Sequence, residues 1–175
     1  MTPTQGKLIV IDLMPILYRG YFVFLSKPRR TADGINTSSL SLLANTLEQM
    51  IRKFKPTHLA IAMESATPTF RHTLYPEYKA QREKMPEDIA AAILQAQELA
   101  AAWGIKLIQA DGYEADDILG TLATRGAAEG FEVIIASPDK DLGQLAGEHI
   151  SIYRPGDDNP LSAEAIAAQW QIPSA

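Results

Sequence analysis

Short β-rich runs alternate with longer helical patterns along this chain, and that alternation confines it to few architectures. Residues 7–11, Lys-Leu-Ile-Val-Ile, form a nearly unbroken apolar run, the mark of a strand buried on both faces. Ser38–Phe54 carries Leu40, Leu43, Ala44, Leu47, Met50, Ile51 and Phe54 at helical spacing, and Pro56 ends that helix. His58–Ala62 reads as a second strand. Glu87–Trp103 reads as an Ala-rich helix opened by Pro86 and closed by Gly104. Ile105–Gln109 is a third strand, Ala115–Glu129 a helix stopped by Gly130, Glu132–Ala136 a fourth strand and His149–Tyr153 a fifth. Ser162 is the expected N-cap of a last short helix. Regular alternation of this kind means a parallel sheet with helices on both faces and right-handed connections.

Two stretches, Tyr18–Thr37 and Ser65–Met85, are polar, contain proline and show no clear period. They are long for simple connections, so they are expected to be functional loops or flexible segments. There is no internal repeat. At 175 residues the chain suits one domain with a sizeable core. With no cysteine, a disulfide framework, a zinc finger and a cysteine nucleophile are excluded. The net charge of −5 argues against coating nucleic acid by bulk charge and leaves a local basic patch open. No apolar run approaches the roughly 18 residues of a membrane span. Met1–Gly6 shows no leader pattern, so no membrane partner and a cytoplasmic location are expected.

The chemistry-bearing feature is where the carboxylates fall. Asp12 follows the first strand, Glu64 the second, Glu114, Asp116 and Asp117 the third, and Asp139 and Asp141 the fourth. In an open parallel sheet all these carboxyl ends lie along one edge, where ligands bind. Seven carboxylates are therefore expected on one rim. Two like charges about 4 Å apart repel by roughly 1 kcal/mol in water and roughly 4 kcal/mol at a surface-like dielectric. A hard divalent cation, Mg²⁺ or Mn²⁺, removes that repulsion, and several carboxylates allow two ions for in-line phosphodiester hydrolysis. The plainer reading is that acids at a helix start cap it and answer its dipole, which alone could account for Glu114, Asp116 and Asp117. Capping explains four acid-ended strands much less well.

A specific set of strings carries a resemblance. Ile11-Asp12 with Leu17-Tyr18-Arg19, Thr69-Phe70-Arg71-His72, Tyr78-Lys79-Ala80, Arg82, Met85-Pro86-Glu87, Gly112–Asp117 and Asp139-Lys140-Asp141-Leu142 occur in order over nearly the whole chain. Together they resemble the 5′-3′ exonuclease domain of bacterial DNA polymerase I, grouped with the flap endonucleases. The resemblance implies a PIN-like, Rossmann-like α/β fold, a mainly parallel five-stranded sheet with a long arch-like loop. It implies Mg²⁺- or Mn²⁺-dependent cleavage of DNA at 5′ ends, 5′ flaps or single strands, with RNA left open as a substrate. Asp12, Glu64, Glu114, Asp116, Asp117, Asp139 and Asp141 are then the metal carboxylates. Lys79 and Arg82 are the arch cations that reach the scissile phosphate, Tyr78 the stacking aromatic, and Arg19 a phosphate contact. Arg71 and Lys84 join them as DNA contacts by charge. Residues 71–84 set Arg71, Lys79, Arg82 and Lys84 against Glu77 and Glu83, with Tyr75 and Tyr78 interleaved, as in a single-strand channel. Lys27, Arg29 and Arg30 form a second basic cluster. His58 and His149 at strand starts read as structural, and Trp103 and Trp170 on apolar helix faces read as core.

Four departures from that family stand out. Glu64 replaces the usual Asp, moving its carboxylate by about 1.5 Å against the strict octahedral geometry of Mg²⁺. Leu13 and Met14 make the neighbourhood of Asp12 bulkier. Gly143 stands where an apolar residue is usual. A helix–three-turn–helix module, which in the family carries further ligands of the second metal site, is absent from this sequence. Residues 1–175 thus read as a single PIN-like domain: a fragment, a split-gene product completed by a partner chain, or a reduced homologue. The alternative function is a degenerate relative that binds DNA or a partner without efficient cleavage.

Overall fold

A computed structural model describes residues 6–170. Most of the Met1–Gly6 stretch read for a leader pattern lies outside the described residues. Five strands form one sheet: β1 Gly6–Asp12, β2 His58–Ala62, β3 Lys106–Ile108, β4 Phe131–Ala136 and β5 Ile150–Tyr153. Their order is β3-β2-β1-β4-β5, and every pairing is parallel. The helices are α1 Leu13–Val23, α2 Ser38–Phe54, α3 Phe70–Leu74, α4 Glu87–Ala102, α5 Ala115–Ala128 and α6 Ala163–Trp170, with a 3₁₀ turn over Lys140–Leu145.

The two-residue period of a strand divides the core. Ile9 and Ile11 of β1 point to one face and pack with Leu43, Leu47 and Ala96 of α2 and α4. Val10 points to the other and packs with Leu119 and Ala123 of α5 and Ile166 of α6. All of β1 from Ile9 onward is buried, as its unbroken apolar run requires. The chain builds outward from β1 on one side through β2 to β3, then crosses to β4 on the other. The reversal lies between β1 and β4, so the crevice beyond their carboxyl ends is the switch point of the fold.

Two elements depart from the sequence expectation. Helix α1 covers the start of the stretch expected to be aperiodic. Pro15 is the third helical residue, where its missing N–H costs no intrahelical bond. Gly20 lets α1 approach α2: a Cβ there would lie 2.6 Å from Ser39 Cα, and Ser39 Oγ donates to Leu17 O at 2.8 Å. Helix α3 is a single short turn inside the second such stretch, too brief to show a period. Trp103, expected in the core, is 44% exposed. It is the C-cap of α4, beyond the last full turn, so helical projection no longer fixes its face. Trp170 is half-buried and explains Gly143, where an added Cβ would sit 2.7 Å from the indole ring. His58 is exposed with its ring edge-on to Phe131, and His149 pairs with Glu132 at 3.2 Å.

Gly20→Ala sets two effects against each other. Helix propensity favours alanine by about 1 kcal/mol, whereas overpacking against backbone costs about 1–3 kcal/mol. The obstructing atom is main chain, so packing is expected to win. Urea unfolding should show a net loss of about 1 kcal/mol, and a more stable alanine variant would contradict this packing.

Candidate metal centre

The site grows out of the ends of β1, β2 and β4. Asp12 is the last residue of β1 and only 5% exposed, because the strand that carries it is fully covered. Ser137 follows β4 and is completely buried. Its hydroxyl donates to Asp12 Oδ2 at 2.9 Å and accepts from the Asp139 N–H at 3.1 Å. One hydroxyl thereby ties two carboxylate-bearing strand ends together across the switch point. Asp139 Oδ1 accepts from the Asp141 N–H at 2.8 Å, which opens the 3₁₀ turn. Ser137 was missed by sequence reasoning; the available signal was a small hydroxyl directly after a buried strand and two residues before an Asp.

Asp12, Glu64, Asp116 and Asp139 line one cavity of about 430 Å³, together with Lys79, Arg82, Met14 and Tyr18. Four strand ends thus contribute acid to one space, and two cations of the arch segment face them. Glu114 stands behind this group, 4% exposed. Tyr78 Oη donates to its Oε2 at 3.1 Å, and Lys79 Nζ lies 2.9 Å from its Oε1. That second contact is an ion pair outside the hydrogen-bond angles, with the Lys79 ammonium still beside the buried Oε1. Lys79 Nζ instead directs a hydrogen bond to Glu64 Oε1 at 3.0 Å. Among the described residues, no three acidic or imidazole groups are drawn together into a ready-made cage. Like charges brought closer would repel, and one ammonium cannot neutralise them all.

The other expected residues sit elsewhere. Asp117 Oδ1 and Oδ2 accept a two-pronged pair of bonds from Arg71 at 2.8 and 2.7 Å. Asp117 also accepts from the Glu114 N–H, closing the capping box that starts α5. Its carboxylate is engaged away from the cavity, as the capping argument anticipates, and so is the Arg71 guanidinium. Asp141 is exposed on the rim beside Asp139. Arg19 Nη1 donates to Pro155 O at 2.6 Å, in the loop after β5. Lys84 is exposed on the arch segment. In the second basic cluster Arg29 stacks on Phe24 and Arg30 bonds Gly34 O.

Charges crowd hard enough to move proton affinities. Burial, reinforced by the charges of Asp116, Glu64 and Asp139, pushes the Asp12 carboxyl up to about 7 against the lowering pull of Ser137. Desolvation and then Asp139 and Glu114 also raise Asp116. Arg71 holds Asp117 below the usual carboxylate range. Burial pulls Lys79 down, but Glu114 and Glu64 together hold it above its ordinary value.

Residues 7–171 match the family described as the 5′-3′ exonuclease, N-terminal resolvase-like domain. The chain belongs to that family. It is 37% identical over 171 residues to DNA polymerase I of Treponema pallidum, covering 96% of this chain and 17% of the polymerase. It is 32% identical to a 5′-3′ exonuclease of Aquifex aeolicus, covering 94% of this chain and 56% of that protein. The chain therefore spans about a sixth of the first relative and little more than half of the second. A structure of T5 5′-exonuclease with bound zinc superposes with a TM-score of 0.73 at 17% identity, over 93% of this chain and 60% of that one. That likeness confirms the PIN-like α/β fold expected for the sheet and its helices. Among the described residues no helix is long and apolar enough to cross a membrane.

The raised Asp12 fixes the sign of a pH effect. A carboxyl whose folded pKa lies above its unfolded one makes the native state bind more protons in between. Metal-free stability should therefore fall as pH rises from about 4 to about 7. Asp117 acts oppositely and only below the ordinary carboxylate range, outside that window. In EDTA at pH 8, Asp12→Asn should be more stable than the parent by up to about 4 kcal/mol, at 1.36 kcal/mol per pKa unit. At pH 4 the two should converge. Urea melts that show no pH-dependent difference would contradict the crowding described here.

Proposed function

We propose that this chain is a divalent-metal-dependent nuclease that hydrolyses phosphodiester bonds of DNA at 5′ ends, 5′ flaps and single strands. The observation that carries this reading is the cavity at the switch point. It has four carboxylates on its walls, the buried Glu114 behind them and Lys79 and Arg82 opposite. Family membership supports the reaction class, and the longer relatives make substrate range and any partner chain part of the proposal.

The donor set suits a hard divalent ion. All the candidate ligands are carboxylate oxygens, the sequence has no cysteine, and Glu114 Oε1 is buried beside a single ammonium that it shares with Glu64. Asp12, Glu114, Asp116 and Asp139 would hold Mg²⁺ or Mn²⁺, and Asp141 beside them is available to a second ion. A divalent ion there supplies Lewis acidity to a phosphoryl oxygen and a water acidic enough to attack at neutral pH. The protein's own groups do the rest. Ser137 holds Asp12 and the Asp139 main chain in register. Lys79 and Arg82 sit across the cavity, where they stabilise the charge that builds on the phosphate. Tyr78, Tyr75, Lys84 and the arch main chain present a cationic, aromatic-bearing surface to a single strand. Arg71 and Asp117 serve this surface by fixing α3 to the start of α5, while Arg19 offers a further cation near the loop after β5. RNA would meet the same groups and is a secondary substrate to assay.

Asp116→Asn removes one charged ligand while leaving the fold's core untouched. On 5′-labelled single-stranded and flap DNA at low salt with Mn²⁺, it should lower cleavage at least about 100-fold, since removing a group that stabilises transition-state charge costs about 2.7 kcal/mol or more. Cleavage by the parent chain no greater than by Asp116→Asn would hand the case to the degenerate DNA-binding reading.

A further inference from the structure

We propose that Glu64 is a positioning residue for Lys79 and not a metal ligand. The inference rests on the nuclease reading above and reassigns one carboxylate of its site. Three observations carry it. Lys79 Nζ lies between two glutamates, 2.9 Å from Glu114 Oε1 as an ion pair and 3.0 Å from Glu64 Oε1, where it also makes a hydrogen bond. The glutamates also differ in exposure. The Glu64 side chain is 40% accessible and that of Glu114 only 6%. A buried carboxylate needs a cation to offset its lost hydration, whereas a water-facing one does not. Finally, Lys79 has a backbone φ of +58°, one of two non-glycine residues with positive φ among those described. Such a conformation is unfavourable for a residue with a side chain and persists where the surroundings over-determine it. The Glu64 bond, with the Tyr78–Glu114 bond from the preceding residue, pins that turn of the arch over the cavity.

A glutamate suits that role better than an aspartate would. Glu64 lies two residues beyond β2, whose ladder is continued by the Met63 N–H donating to Ile108 O at 3.0 Å. From a main chain fixed there, the extra methylene extends the carboxylate toward the arch by about 1.5 Å. A divalent ion held by the buried carboxylates would engage Glu114 and leave Glu64 to keep Lys79 over the cavity.

The test is calorimetric titration of the intact chain with Mn²⁺, run beside hydrogen exchange of residues 78–82 in the Mn²⁺-bound state. Glu64→Gln should raise the Mn²⁺ Kd less than about threefold, the size of an exposed charge effect. Asp116→Asn should raise it at least about tenfold. Exchange at 78–82 should quicken in Glu64→Gln as much as in Lys79→Met, and the double variant should go no further. Glu64→Asp, too short to reach, should behave as Glu64→Gln does. An Mn²⁺ Kd raised tenfold or more by Glu64→Gln, or exchange unchanged by it, would overturn the assignment. A parent chain that binds no Mn²⁺, or an Asp116→Asn variant that binds it as tightly, would instead overturn the metal reading beneath it.

Discussion

Negative charge gathered around the buried carboxylate of Asp12 organises this end of the molecule. Parallel pairing sends the carboxyl ends of the strands to one edge, and the crossing from β3 to β4 opens a crevice between β1 and β4. Asp12 is carried into that crevice on a strand with no exposed face. Burial and like charges from three directions then draw its proton affinity up to neutrality. The surrounding features answer that strain. Ser137 donates to Asp12, Lys79 and Arg82 face the carboxylates, and Arg71 removes Asp117 from the crowd by a two-pronged pair. Each is a partial answer. A small divalent cation would be the complete one, because it would place two charges at the point where the repulsions meet.

The arch segment is the part of the fold that depends most on this charge. Residues 65–70 anchor its start through Asp111, Gly112 and the Phe70–Tyr113 ring pair, and beyond that its contacts to the body are polar: Arg71 to Asp117, Tyr78 to Glu114, Lys79 to Glu64. Short helix α3 buries none of its residues and relies on the Thr69–His72 capping box. A segment held by ion pairs over an acidic cavity has its position set by the charge state of that cavity. Binding and arch geometry are therefore linked through the same few carboxylates.

Much of this was legible in the residues. Unbroken apolar runs located the central strands, because only a doubly covered strand needs them, and the acid after each run fell on the expected edge. What stayed hidden has physical causes. Helix α1 was obscured by Pro15 and Gly20, residues that usually break helices but here occupy a first turn and a close helix crossing. Trp103 was assigned to the core because periodicity was extended one residue past the last turn. Spacing could not separate Asp116, which faces the cavity, from Asp117, which caps a helix one residue later and faces away. Adjacent helical positions differ by about 100°, and only the contact with Arg71, 46 residues distant, shows which role each takes. Ser137 carries no charge and left no pattern.

The central claim is that these carboxylates form a cation site. Its most direct test is the position of Mn²⁺ in a crystal of the intact chain, read from its anomalous scattering. The account predicts a peak within coordinating distance of Asp12, Glu114, Asp116 or Asp139, the set assigned above to the ion. A strong peak elsewhere, with these carboxylates bound only to water and to Lys79, would contradict it.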